Sequence, residues 1–482
     1  MFMPLRIQSE ITHEFKKTFY PSRIKKAFDE KISKKDSRGI DGLNVSGFEK
    51  QKDAQFKVIN KKCLKGSYNF SPYLEKLKLK GRDKPPRKIS LPTVRDRIVN
   101  YLIKEFLHKT FSDRVSKNLA HDVIRSIQKT LSEENSDSFG FSKIDITNFY
   151  DSINQQILIK YLKRRIKSKT ILHLIIKAIQ NISVGKNYNK GMRGKKFNDK
   201  GVPQGLAISN ILADIYLTDV DKYFKLKKIL KRKIKYFRYV DDIFLIYKKS
   251  DYPFVSKKIK EMISELILDI NPEKSFDGDC ADGFEYLGYK FIPGKKTKDG
   301  FPLLTVRQSS VDRYMDSLIA IFTTYWYTNI NALKYENWRN KKDIKEAFIE
   351  DLNQKITGSI GENRKYGWIY YYVELNDLKL LFNIDKIVEG YFKKLKEFNF
   401  KPPLSIKKIV KAYYQIKFNF RETKYLHDYR IFDTCPKKKL YLKKRGYIKP
   451  WQKLSCAEIE KLFNVVKRKY LRGLEMDEGR MS

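Results

Sequence analysis

The chain has 482 residues, too many for one ordinary core of ~100–150, so several subdomains are expected. Hydrophobic residues make up 41%, which excludes a disordered chain, and 101 Lys and Arg against 56 Asp and Glu leave a formal net charge of +45. Such an excess repels itself unless something anionic neutralises it, and nucleic acid is the leading partner.

Four cysteines (Cys63, Cys280, Cys435 and Cys456) lie far apart with no CxxC pair. That argues against a zinc site and a disulfide framework, and scattered free thiols fit a reducing cytoplasm. No apolar run reaches the ~20 residues of a bilayer span, and residues 1–12 lack the apolar stretch of a signal peptide. A soluble cytoplasmic protein without a membrane partner is expected.

In chain order, the first ~85 residues read as short helices and loops punctuated at Gly39-Ile-Asp-Gly42 and Gly66 to Pro72. A Pro-bounded strand at Lys88 to Leu91 leads into long helices that run to about residue 133. Phe141 to Ile146 is a short strand, and Lys235 to Tyr247 a hairpin-like pair rich in Tyr, Phe, Ile and Val. Between them Ile208, Ile211, Leu212 and Ile215 share one helical face. Strands return at Phe284 to Phe291, and residues beyond about 305 read as an all-α module. The class is α+β, with one small sheet holding the chemistry.

That chemistry centres on Tyr239-Val-Asp-Asp242, between apolar β-forming segments. Adjacent carboxylates in a cleft repel and need a compensating cation, a task suited to Mg²⁺ with its hard oxygen ligands at ~2.1 Å. Asp145 ends a second apolar strand, and antiparallel pairing would bring it against Asp241 and Asp242. Three carboxylates can then hold two Mg²⁺ ions ~3.5–4 Å apart, the arrangement that serves phosphoryl transfer, with Mn²⁺ as the alternative ion. Between these strands, Gly201-Val-Pro-Gln-Gly-Leu-Ala-Ile-Ser-Asn210 feeds a turn into a helix. Its glycines admit close backbone approach, and Gln204 offers an amide to a base or sugar.

In this order the segments resemble the reverse transcriptase palm. Asp145 to Ser152 is similar to its motif A, Gly201 to Asn210 to motif B, and Tyr239 to Asp242 to motif C. Asn271-Pro-Glu-Lys-Ser275 resembles motif D, and Glu285-Tyr-Leu-Gly-Tyr-Lys290 the primer grip. Upstream, Arg87 to Arg97, Gly39 to Gly42 and Gly66 to Pro72 resemble the fingers of bacterial reverse transcriptases. The resemblance spans roughly residues 38–292. It implies a right-hand polymerase with fingers over 1–140, a palm over 141–292, and a helical thumb and RNA-binding module over 293–482.

Roles follow residue by residue from the same resemblance. Asp145 and Asp241 should bind both metals, with Asp242 and the Ile146 carbonyl as further ligands. Tyr150 looks like the steric gate against a ribose 2′-OH. Arg87, Gln204, Gly205 and Lys84 should hold the incoming nucleotide, and Lys274 should protonate departing pyrophosphate. Tyr239 and Gly288 should lie at the primer terminus. The implied partners are an RNA template, a DNA product and deoxynucleoside triphosphates, and homo-oligomers stay open.

Lys355 to Leu378 resembles the C-terminal extension of unknown-group and abortive-infection reverse transcriptases, which serve in antiphage defence with an associated noncoding RNA. Pro436 to Trp451 holds seven Lys and Arg and no acid, interleaved with Tyr441, Tyr447 and Trp451. Lys443, Lys444 and Arg445 would track phosphates while Tyr441 and Trp451 stack bases of single-stranded RNA. No His-Asn-His signature or RNase H acid cluster is present, so strand cleavage is not expected. The alternatives are a retron- or group II intron-type polymerase, or a catalytically silent RNA-binding scaffold.

Overall fold

A computed structural model describes residues 5–33, 37–78, 86–115, 119–133, 136–188, 197–226, 229, 231–298, 300–334, 341–362, 364–449 and 451–478. Lys84 lies outside them. The chain divides into two compact units, one of Met1–Asn118 with Ser138–Gly278, the other of Leu119–Asp137 with Asp279–Ser482.

In the first unit, β1 (Tyr73–Lys78) runs antiparallel to β2 (Arg87–Leu91), and β4 (Ser183–Val184) lies parallel on its other edge. The helix Val94–Thr110 follows, with Ile98, Val99, Ile103, Phe106 and Leu107 fully buried. Asp96 at its start is buried too, and accepts from Tyr68 Oη at 2.6 Å, Thr93 Oγ1 at 2.8 Å and the Ser71 N–H at 3.0 Å. One carboxylate thus ties the Gly66–Pro72 turn to the strand–helix junction.

The second sheet of this unit has the order β5-β6-β3-β7, from β3 (Phe139–Ile144), β5 (Lys235–Tyr239), β6 (Asp242–Lys248) and β7 (Phe276–Asp279). Ile243 to Tyr247 are all buried, because a central strand is covered on both faces and needs continuous rather than alternating apolarity. The helix Ser209–Tyr216 buries Ile211, Leu212 and Ile215 against the helices Gln155–Lys163 and Val94–Thr110.

The second unit has strands where they were expected, β8 (Phe284–Tyr286) and β9 (Tyr289–Lys296), extended into a meander by β10 (Pro302–Val306), with the helix Ala120–Glu133 packed on β10. Beyond β10 the unit departs from the all-α expectation. It holds a small sheet of β11 (Ser359–Ile360), β12 (Lys365–Tyr366) and β13 (His427–Asp428), in the order β12-β11-β13. Strands of two residues leave no period in a sequence. The helices between are long, among them Leu378–Phe392, Ile409–Phe418 and Cys456–Glu475.

Three expectations for the C-terminal segment need correction. Tyr441 is 3% exposed in an apolar cluster with Tyr429, Leu442, Ile459 and Phe463, so it cannot stack on a base. Arg445 is 5% exposed, donates to Asp351 Oδ1 at 3.1 Å and Gln354 Oε1 at 3.0 Å, and lies over the Tyr441 ring. It fastens the helix Cys435–Lys444 to Lys341–Thr357 and is not open to phosphate. Cys435 and Cys456 form a disulfide, where free thiols were expected. Lys443, Lys444 and Trp451 remain exposed.

Candidate active site

The β5–β6 hairpin turns through Val240 and Asp241, closed by the pair Tyr239 and Asp242. Val240 has φ 58°, a left-handed conformation that a β-branched residue takes only under strain. Arg238 holds it there, donating from Nη1 to the Val240 carbonyl at 2.7 Å. The guanidinium is buried and forks onto Asp221 (Nε to Oδ1 2.7 Å, Nη2 to Oδ2 2.5 Å), with Asp214 Oδ1 at 3.0 Å. Tyr236 Oη donates to the same Asp221 at 2.8 Å. A rigid polar network therefore underlies the carboxylate turn.

β3 and β6 pair antiparallel with Ile144 opposite Ile243, and this register continued by one residue sets Asp145 opposite Asp242. Asp145 is held from the Asn271–Ser275 turn. Its N–H donates to Ser275 Oγ at 2.9 Å, its carbonyl accepts from the Asn271 N–H at 2.8 Å, and Asn271 Nδ2 reaches its Oδ2 at 3.2 Å. Lys274 Nζ lies 3.7 Å from the same oxygen.

Burial lifts the Asp241 carboxyl above the usual carboxylate range; Asp145 adds to the rise, while Arg87 and Lys274 oppose it. Burial, then the neighbouring Asp241, push Asp242 up to about 7. Clustered carboxylates whose charge burial disfavours are a site for a cation. The donors are hard oxygens, as Mg²⁺ requires. The Ile146–Ile270 bridge makes its hydrogen bonds through the Asp145 carbonyl and the Thr147 N–H, which leaves the Ile146 carbonyl outside the ladder. Among the described residues no three His, Cys, Asp or Glu side chains form a ready-made cage. The expected clamp of three carboxylates thus becomes a more open arrangement, of the kind Mg²⁺ completes with water and substrate phosphates.

The pH dependence follows from Asp242. Its folded value of about 7 lies above the ordinary 3.8, so its contribution to stability is full below about pH 4 and is lost as pH rises through 7. Without metal, the melting temperature of the wild type should fall relative to Asp242→Asn between those limits, by several degrees, on the order of 2–4 kcal/mol. Added Mg²⁺ should reverse the fall. A difference that stays flat across this range would place Asp242 in solvent.

Motif B is fitted by two glycines. Gly201 has φ 74°, and a Cβ there would stand 2.8 Å from the Tyr150 and Asp151 carbonyls; at Gly205, φ 97°, it would stand 2.6 Å from Ile89 Cγ2. Gly205 therefore serves close packing against β2, where the Ser90 N–H donates to the Gln204 carbonyl at 2.7 Å. Gln204 Nε2 donates to Asp151 Oδ2 at 3.2 Å. Both line a cleft of about 720 Å³ with Lys88, Ser90, Tyr188 and Phe197. Tyr150 donates from its hydroxyl to Asn210 Oδ1 at 2.9 Å; burial, then Asp241, raise its pKa, while Arg87 lowers it. Arg87, Tyr150 and Asp241 thus share one electrostatic neighbourhood.

In the second unit, Gly288 (φ 81°) and Leu287 (φ 49°) form the two-residue turn between β8 and β9. Tyr371 Oη donates to the Leu287 carbonyl at 3.1 Å, and a Cβ at Gly288 would meet Tyr372 Oη at 2.6 Å. Sequence reasoning overlooked Arg238, Asp214, Asp221 and Asp151. The only signal was acids and an arginine set among apolar residues.

Residues 78–291 match the family described as Reverse transcriptase (RNA-dependent DNA polymerase). Protein YkfC of Escherichia coli (strain K12) is 23% identical over 339 residues, 61% of this chain and 85% of that one. The group II intron-encoded protein LtrA of Lactococcus lactis subsp. cremoris is 25% identical over 212 residues, and the match covers 42% of this chain but only 32% of LtrA. A telomerase structure from Candida albicans, in complex with a fragment of telomeric RNA, aligns over 89% of this chain and 67% of its own at 15% identity and a TM-score of 0.42. The fold is α+β, as expected, with the carboxylates on a small four-stranded sheet among helices. The carboxylate hairpin, the Asp145 strand and the glycine-fitted turn all lie inside the span that is similar to the reverse transcriptase family.

Proposed function

We propose that the chain is an RNA-directed DNA polymerase that extends DNA by two-metal nucleotidyl transfer and acts in antiphage defence with a noncoding RNA. The observation that supports the polymerase reading is the register that sets Asp145 opposite Asp242, next to the strained Val240–Asp241 turn, with Tyr150 and Arg87 in electrostatic reach of Asp241. Residues 1–140 then serve as fingers, 141–292 as palm, and 293–482 as thumb and RNA-binding module.

Asp145, Asp241, Asp242 and the Ile146 carbonyl would hold two Mg²⁺ ions, which when bound stabilise the charge on attacking and leaving oxygens. Arg87 offers a forked donor to the triphosphate. Tyr150, its hydroxyl held by Asn210, would crowd a ribose 2′-OH. Gln204, steadied by Asp151, orients the nucleotide. Lys274, half exposed and drawn to Asp145, is a mobile proton donor for pyrophosphate.

Two experiments test this. Extension of a primed RNA template with dNTPs and Mg²⁺ should proceed with the wild type, and an inactive wild type removes the polymerase reading. Tyr150→Val should admit ribonucleotides on the order of 10²-fold better. Unchanged selectivity would put the gate elsewhere.

The defence role rests on the resemblance of Lys355 to Leu378. A group II intron-type polymerase is the second reading, favoured by the similarity to LtrA. Sequencing the RNA that copurifies separates the two. A dedicated noncoding RNA supports defence, and intron RNA supports the other.

A further inference from the structure

The helices Leu378–Phe392 and Ile409–Phe418 carry more aromatic surface than their core requires. Leu381, Ile384, Val388 and Phe392 complete the buried stripe of the first, and Ile409, Ala412, Tyr413 and Ile416 that of the second. Three rings are left outside. Phe382 is 52% exposed, Tyr414 42% and Phe418 71%. Phe382 and Tyr414 line a cleft of about 390 Å³ between the helices. Tyr414 and Phe418, one turn apart, stack with ring centroids 5.9 Å apart and planes 29° from parallel. Two of the rings thus line the cleft, and Phe418 extends the Tyr414 ring beyond it.

The charges around the cleft are ordered. Asp385 accepts from the Ile409 N–H at 2.7 Å and the Val410 N–H at 3.3 Å, so the first turn of the second helix partly offsets its charge. Glu389 meets Lys408 Nζ at 3.2 Å across the cleft. Lys386 and Lys411 also line the cleft and are exposed. From 400 to 426 the chain has seven Lys and Arg against one acid, Glu422.

We infer that this face binds unpaired RNA, with bases stacking on Phe382, Tyr414 and Phe418 and phosphates on Lys386 and Lys411. The inference rests on reading the chain as an RNA-handling polymerase and moves the stacking site away from Tyr441. Exposed rings beside lysines suit single strands because every base has a π-face. A second copy of this chain fits poorly, since a partner of charge +45 would be repelled. DNA fits less well than RNA. Glu389, the partly exposed acid at the cleft, can accept from a ribose 2′-OH, a donor that deoxyribose lacks.

The full chain and a single-stranded oligouridylate provide the test. Ultraviolet crosslinking and peptide mass spectrometry should place uridine on residues 378–418. The triple variant Phe382→Ala, Tyr414→Ala, Phe418→Ala should weaken binding by about 5- to 100-fold without changing its salt slope. Lys386→Ala with Lys411→Ala should instead reduce the slope by roughly 1 to 2. Tryptophan at the three ring positions should keep the affinity.

Crosslinks elsewhere only, or a triple variant that melts like the wild type and binds equally well, would overturn the proposal. So would equal affinity for the deoxy oligomer, or loss of self-association with RNA binding intact. Failure of the polymerase reading looks different: the protein would bind oligouridylate through these rings yet incorporate no dNTP.

Discussion

Replacing Asp241 by asparagine should abolish dNTP incorporation, a loss on the order of 10³-fold or more, while the fold persists. Asp241 sits at the hairpin turn, where burial and Asp145 already disfavour its charge. Its side chain is therefore held against its own solvation preference, and the amide relieves that conflict without changing shape. Metal-free Asp241→Asn should melt at or above the wild-type temperature, and the gap should close as Mg²⁺ is added, because only the carboxylate gains from the ion. Melting with and without Mg²⁺, beside a primer-extension assay, reads both effects at once. A variant that extends primers at near wild-type rate would remove the two-metal reading. One that loses stability along with activity would make Asp241 a packing residue.

The parts of this site legible in the sequence are those that local physics dictates. Ile243 to Tyr247 can be little else than a covered strand, and Tyr239 to Asp242 precedes it with the only acids of the segment Lys235 to Tyr247, so the hairpin follows. Asp145 is placed by the same logic, since an apolar run ending in a carboxylate pairs naturally with a second one. What composition cannot supply is which face of an element turns inward. Pro436 to Trp451 looks uniformly basic, yet its helix needs one apolar side, and Tyr441 and Leu442 provide it. Arg445 follows them inside because Asp351 and Gln354 wait on a helix some ninety residues earlier. The Cys435–Cys456 disulfide depends on two helix starts meeting, which no spacing announces. The surplus rings Phe382, Tyr414 and Phe418 could be told from core residues only once the core was seen to be complete.

The network under the hairpin gives the second large effect. Arg238→Gln should destabilise the protein by about 3–5 kcal/mol, because it strands Asp214 and Asp221 in a buried setting without their cation. Lysine should not rescue it, since one ammonium cannot fork onto Asp221 and also reach the Val240 carbonyl. The loss should be strongly non-additive with Asp221→Asn, as that change removes the charge the variant leaves unpaired. Activity separates a positioning role from mere support. Without the Arg238 donor, Val240 has no reason to stay at φ 58°, and Asp241 moves with it. In the Arg238→Gln, Asp221→Asn double variant the fold should therefore recover further than kcat does, and KM for the primed template should change little. Adding Val240→Gly, which makes the left-handed conformation accessible without strain, should return part of kcat. If stability and kcat recover together in the double variant, the network is structural support alone, and the turn holds its conformation without it.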